Sequence, residues 1–151
     1  ADVELNARHG PLGTGNYRIS LEAVGLEKKR AFVHLRYSYT YGFAGRSAMN
    51  MYLATSGSDK VGFTVIRDRN DPQPKFIGGV RGAIERNTMR YYLAIDSYLG
   101  ALATPAPARF EQSLGRWFNA TELYPRQLRE IDRDTYFAMK RSEYLRQQTA
   151  Q

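Results

Sequence analysis

Hydrophobic side chains recur with a period of two along the first half of this chain and with a period of three to four after Gly82. That switch constrains the fold more than any other feature. Alternation builds a strand with one apolar face, and the longer period builds an amphipathic helix. Val3, Leu5 and Ala7 alternate with Asp2, Glu4, Asn6 and Arg8, and Tyr17, Ile19, Leu21 and Ala23 alternate with Arg18, Ser20 and Glu22. The clearest run places Ala31, Val33, Leu35, Tyr37, Tyr39 and Tyr41 on one face. Phe32, His34, Arg36, Ser38 and Thr40 fall on the other. Ala48 to Thr55 reads as a further strand, although Met49, Met51 and Leu53 also fit a helix. Val61, Phe63 and Val65 read as one more, closed by Asp71-Pro72-Gln73-Pro74. Gly10–Gly15, Gly25–Arg30, Gly42–Ser47 and Ser56–Asp59 punctuate these runs with turn-forming residues.

In the second half, Ile84, Thr88, Tyr91, Ile95, Tyr98 and Leu102 step by four and three along one helix face. Thr104-Pro105 suits an N-cap followed by a first-turn proline, and it opens a second helix with Phe110, Leu114, Trp117, Phe118 and Thr121 on its apolar side. Tyr124-Pro125 ends that helix, because proline disfavours the helical region for the residue before it. A third helix carries Leu128, Ile131, Thr135, Ala138, Ser142 and Leu145. Asp132 or Asp134 offers an alternative, later cap.

Short connections favour antiparallel neighbours. The expected fold is therefore α+β: an N-terminal antiparallel β-meander of about four to six strands covered by two or three C-terminal helices. One domain is expected over 1–151, strand-rich in 1–77 and helical in 83–149. A chain of 151 residues, 42% hydrophobic and 25% charged, has the size and composition to bury a core without staples. Val33, Leu35 and Tyr37 on the sheet, with Ile95, Trp117 and Phe118 on the helices, are its expected contributors.

The chain has no cysteine, which excludes disulfides, thiolate-held metals and cysteine nucleophiles. Basic residues outnumber acidic ones by 22 to 15. The excess is spread along the chain, with Lys28-Lys29-Arg30 its densest run. A polyanionic partner is compatible with this charge, and so is an ordinary basic domain. No stretch reaches the roughly 18 apolar residues of a membrane helix, so no integral membrane segment is expected. The start Ala1-Asp2 fits a secreted or periplasmic protein after signal cleavage, and equally a cytoplasmic protein after Met excision.

Few residues carry chemistry. His34 is the single general acid–base candidate, but nothing nearby in sequence supplies a nucleophile or an orienting carboxylate. His9 precedes a glycine-rich loop, and no histidine pair has metal-ligand spacing. No cofactor is expected. Gly78, Gly79, Arg81 and Gly82 lie between a strand and a helix start. There, backbone N–H groups and a guanidinium can hold an anion, or small residues can simply let the chain turn. Gly42–Ser47 has the same two readings. His34, Arg36, Ser38 and Thr40 form a polar sheet face suited to phosphates. The eleven tyrosines suit a core, a protein interface or base stacking. Leu128, Ile131, Thr135, Ala138, Ser142 and Leu145 form a stripe with small residues at its middle, fit for an assembly contact or for core packing. Asn119-Ala120-Thr121 matches a glycosylation acceptor. Glu111, Glu122, Glu130, Asp132 and Asp134 read as a solvated helix face.

With no catalytic constellation and an arginine- and tyrosine-rich composition, the expected function is a non-enzymatic binding or assembly domain, with a protein partner or a second copy. A basic nucleic-acid-binding or coat-type protein is the first alternative. A small-molecule enzyme with a cleft near His34 is the second.

Overall fold

The computed structural model describes residues 1–10, 14–27, 30–68 and 71–149. Pro11 to Gly13 of the first expected loop and Lys28-Lys29 of the basic run lie outside the described residues. The fold is α+β. Three strands, β1 (Asp2–His9), β2 (Thr14–Leu26) and β3 (Arg30–Tyr41), form an antiparallel sheet in the order β1-β2-β3. Helix α1 (Phe43–Ala54) follows. A separate two-stranded antiparallel sheet pairs β4 (Val65–Asp68) with β5 (Asp71–Phe76). The remaining elements are α2 (Gly79–Gly100), α3 (Ala106–Glu122), the single turn α4 (Pro125–Leu128) and α5 (Arg133–Thr149).

The meander thus has three strands, not the four to six expected, because residues 43–54 are helical and β4 and β5 pair in a sheet of their own, with β4 beginning at Val65 and leaving Val61 and Phe63 of the expected strand outside it. Residues 43–54 form a helix from Gly42 onward, so Phe43–Ser47 is not a loop and Ala48–Thr55 is not a strand. Ala44, Ala48, Met49, Met51, Leu53 and Ala54 are strong helix formers, and that propensity outweighs the short apparent alternation. Asp71-Pro72-Gln73-Pro74, read as the end of a strand, is itself most of β5. Proline is tolerated in a strand that has only one neighbour.

The chain divides into two compact units, residues 1–89 and 90–151, with the boundary inside α2. In the first unit the β2–β3 register pairs Ile19 with Tyr37, Leu21 with Leu35 and Ala23 with Val33. It is interrupted once. Gly15 pairs with Thr40 and Arg18 with Ser38, so Asn16 and Tyr17 together oppose Tyr39. This bulge holds Asn16 at φ 51°, a conformation asparagine adopts more readily than most residues. No residue of β1, β2 or β3 is buried. The sheet face expected to be core is exposed at Val33 and half-buried at Leu35 and Tyr37.

The second unit buries Leu93, Leu114, Phe118 and Leu128, and stacked aromatic rings join α3 to α5. Leu114, Phe118 and Thr121 of α3 are buried, as their spacing predicts. Tyr136 of α5 stacks on Trp117 at 4.8 Å, Tyr144 stacks on Phe110 at 4.2 Å, and Phe137 meets the Phe118 ring edge-on at 6.0 Å. Arg133 lies over Phe137 at 4.7 Å. Arg141 grips Glu111 with two hydrogen bonds of 2.7 and 2.8 Å. Asp132 sets the start of α5, accepting from the Thr135 backbone N–H at 2.9 Å and its hydroxyl at 2.8 Å. These two bonds hold its carboxyl below the usual range.

Candidate functional site

The register sorts the three-stranded sheet into two chemically different faces. On one, Val3, Leu5 and Ala7 of β1 lie beside Leu21, Ile19 and Tyr17 of β2, which in turn lie beside Leu35 and Tyr37 of β3. Tyrosines gather at one end of this face. Tyr17 and Tyr39 stack at 5.4 Å with ring planes 11° apart, Tyr37 and Tyr41 flank Tyr39 at 5.4 and 5.8 Å, and the Arg46 guanidinium caps Tyr41 at 6.0 Å. Tyr17 faces Tyr39 by continuing the register that pairs Ile19 with Tyr37 and Arg18 with Ser38, and the bulge displaces only the pairs beyond it. Burial, then the neighbouring Tyr17 and Tyr41, push the Tyr39 phenol above the usual tyrosine range. At neutral pH the Tyr39 phenol keeps its proton. The apolar extension of the ladder is open: Leu5 is 59% exposed and Val3 is 44% exposed.

The opposite face holds His34, Arg36, Ser38 and Thr40, opposite Glu22, Ser20, Arg18 and Gly15 respectively. Its charges segregate along the strands: Asp2 pairs with Glu22 and Glu4 with Ser20 toward one end, and Asn6 pairs with Arg18 toward the other. His34 Nδ1 lies 3.3 Å from Glu22 Oε2, with both side chains about half exposed. Thr40 donates to the Gly15 carbonyl at 3.1 Å and accepts from Asn16 Nδ2 at 3.2 Å, which ties it to the bulge.

At the start of α2, Gly79 has φ 61°, the left-handed region that glycine enters without strain. A Cβ on Gly82 would stand 2.9 Å from the Ile77 carbonyl and 3.1 Å from the Gly62 nitrogen, so the chain packs closely there. Arg81 donates through Nε to Glu85 at 3.2 Å. Glu85 also accepts from the Phe63 and Thr64 backbone N–H groups at 2.8 and 2.9 Å and from the Thr64 hydroxyl at 2.7 Å. Burial alone would raise the Glu85 carboxyl. The bonds from Thr64, Phe63 and Arg81 outweigh it and hold the group below its usual range.

One turn on, Arg86 is 1% exposed. Its Nη2 donates to the Tyr52 hydroxyl at 3.1 Å, while Nε and Nη1 have no acceptor among the described residues. The stripe of α2 that is actually withdrawn from solvent runs through Ala83, Arg86, Leu93, Ser97 and Ala101. Ile84, Tyr98 and Leu102 of the expected face are 38%, 52% and 46% exposed.

On the last helix the two readings of the stripe separate. Leu128 is buried in α4, but Ile131, Thr135, Ala138, Ser142 and Leu145 are exposed. The packing of α5 falls instead to Tyr136, Phe137 and Tyr144. Phe137 escaped the sequence pattern because it sits one position off the chosen face. The acidic residues of this unit are not merely solvated: Glu130 pairs with Arg90, Glu122 with Arg129 at 3.7 Å and Glu143 with Lys140 at 2.7 Å.

Among the described residues, no helix is long and apolar enough to cross a membrane. No family model, no curated protein and no solved structure matches the chain, so the functional reading rests on its own geometry.

Proposed function

We propose that this chain is a non-enzymatic binding or assembly module that meets a protein partner, in the first instance a second copy of itself, through the apolar face of its three-stranded sheet. The observation that carries this reading is that no residue of the sheet is buried, although one face aligns Val3, Leu5, Ile19, Leu21 and the tyrosine ladder. A contiguous exposed apolar patch marks an interaction surface, and tyrosine and arginine at its end are residues that interfaces favour. The carboxylates of Asp2, Glu4 and Glu22 share the opposite face with its basic residues, so that face offers no uninterrupted basic stripe for a nucleic-acid backbone.

Leu5→Arg tests the reading. Leu5 is 59% exposed, so the substitution should leave stability within about 0.5 kcal/mol of wild type. Analytical ultracentrifugation should show the wild-type chain self-associating with rising concentration and Leu5→Arg remaining monomeric. Identical, concentration-independent sedimentation of the two would sink self-assembly through this face.

The exposed stripe on α5 is a second assembly surface on this reading, since Leu145 within it is 63% exposed, Met139 beside it is 47% exposed and Ile131 just before the helix is 39% exposed. Ala138→Arg should weaken self-association without altering the urea midpoint, because an exposed alanine has no packing to lose. A loss of several kcal/mol would instead show that the stripe is a packed seam.

A further inference from the structure

Where α2, α3 and α5 converge within the second unit, a groove of about 320 Å³ opens between aromatic side chains. That volume is at the lower end of small-molecule sites, and it suits a ligand of one or two fused rings. Its walls are flat. Trp117 is stacked on Tyr136 and Phe110 on Tyr144, so both pairs are fixed in orientation by ring contacts already made. Trp117 is further pinned by its indole N–H, which donates to the Arg90 carbonyl at 3.3 Å. Ala94 and Ser113 leave the space that larger side chains would fill.

The charge of the lining is one-sided. Its two ionised side chains are Arg90 and Lys140, and no carboxylate lines it. Arg90 is committed to the Leu128 carbonyl and to Glu130, which stands outside this groove. Lys140 is the adaptable cation. An ammonium has three N–H donors, and the structure gives this one a single partner, Glu143, also outside the lining. Tyr136 and Lys140 are one helical turn apart on the same face of α5, so the phenol and the ammonium border the groove together.

We propose that this groove binds a small planar aromatic carboxylate, with its ring against Trp117 and Phe110 and its carboxylate on the Lys140 ammonium and the Tyr136 hydroxyl. Burial, then Glu143, push the Tyr136 phenol up to about 12, against the opposing pull of Arg90. At neutral pH the hydroxyl therefore keeps its proton and can donate it in a hydrogen bond. A cationic ring would meet two like charges. A neutral ring would gain the stacking without a charge-assisted contact to the ammonium.

The chain has one tryptophan, so its single indole N–H resonance reports on this groove directly. Naphthalene-2-carboxylate titrated into the full chain should shift that resonance saturably. Naphthalen-2-ylmethanol should bind about tenfold more weakly, the ratio that a single charge-assisted contact of about 1.4 kcal/mol provides. Naphthalen-2-ylmethanamine should bind least. Lys140→Met should bring the carboxylate down to the level of the alcohol without weakening the alcohol, and the exposed Lys140–Glu143 pair contributes too little for this change to unfold the unit. Ser113→Phe should abolish binding of both by filling the groove, with Ala94→Leu as a milder block if the first variant is destabilised. An unmoved indole resonance, equal affinity for the three probes, an indifferent Lys140→Met, or full binding by the blocked variants would each overturn the proposal.

Discussion

Phe118→Ala is expected to cost about 3–5 kcal/mol, the range for emptying a buried phenylalanine site. Phe118 is 8% exposed. Its ring meets Tyr136 at 5.8 Å and Phe137 at 6.0 Å, and the Arg133 guanidinium lies over it at 5.4 Å. Those neighbours cannot close the gap easily. Tyr136 is held in its stack with Trp117, and Arg133 is tied to Asn119 by a 2.7 Å hydrogen bond. The lost transfer energy and the residual cavity therefore add. Urea unfolding followed by the tryptophan signal measures the effect, and Phe118→Leu, which keeps most of the volume, should recover the larger part of it. A loss below about 1 kcal/mol for the alanine variant would mean that the aromatic cluster repacks freely and is not the core of this unit.

Glu85→Ala is expected to destabilise by about 3 kcal/mol. Hydrogen bonds to a charged group contribute about 1.5–3 kcal/mol, and a withdrawn donor left without an acceptor costs about 1–3 kcal/mol. One carboxylate here serves two backbone N–H groups, a hydroxyl and a guanidinium. Its side chain is 21% exposed, so solvent replaces those bonds only in part. The same contacts set a pH dependence. The folded carboxyl titrates below its usual value, so the unfolded chain takes up the proton first as pH falls. The stabilisation is complete above the ordinary glutamate pKa of about 4.3 and is lost as pH drops through the lower folded value. Glu85→Gln should remove that acid dependence. Chemical denaturation at a series of pH values checks both points, and an unchanged acid profile in Glu85→Gln would assign the acid sensitivity to another carboxylate.

Alternation made the three-stranded sheet legible in the sequence, because period two assigns each side chain to a face before any partner is known. The face bearing Val33, Leu35 and Tyr37 and the face bearing His34, Arg36 and Ser38 are opposite in the structure as the pattern requires. The apolar side of α3 was legible for the same reason, since Leu114, Phe118 and Thr121 repeat at helical spacing and are buried. Asp132 as a cap could be read from its residue type and its distance from the last helix.

What escaped the sequence has a common cause: burial does not follow hydrophobicity alone. On α2 and just past its end, the side withdrawn from solvent carries Ala83, Arg86, Ser97 and Ala101 beside Leu93, mostly small or polar residues that a hydrophobic pattern passes over. Arg86 is withdrawn with its guanidinium over the Tyr52 ring and a hydrogen bond donated to the Tyr52 hydroxyl. The bulge at Asn16 also escaped the sequence, since one extra residue in a strand leaves no trace in composition. The lining of the groove comes from positions 90–94, 110–117 and 136–140, whose spacing in the chain says nothing about their meeting. Periodicity is a property of one segment and is written in that segment. Depth, charge pairing and cavity walls belong to several segments at once, and only their packing decides them.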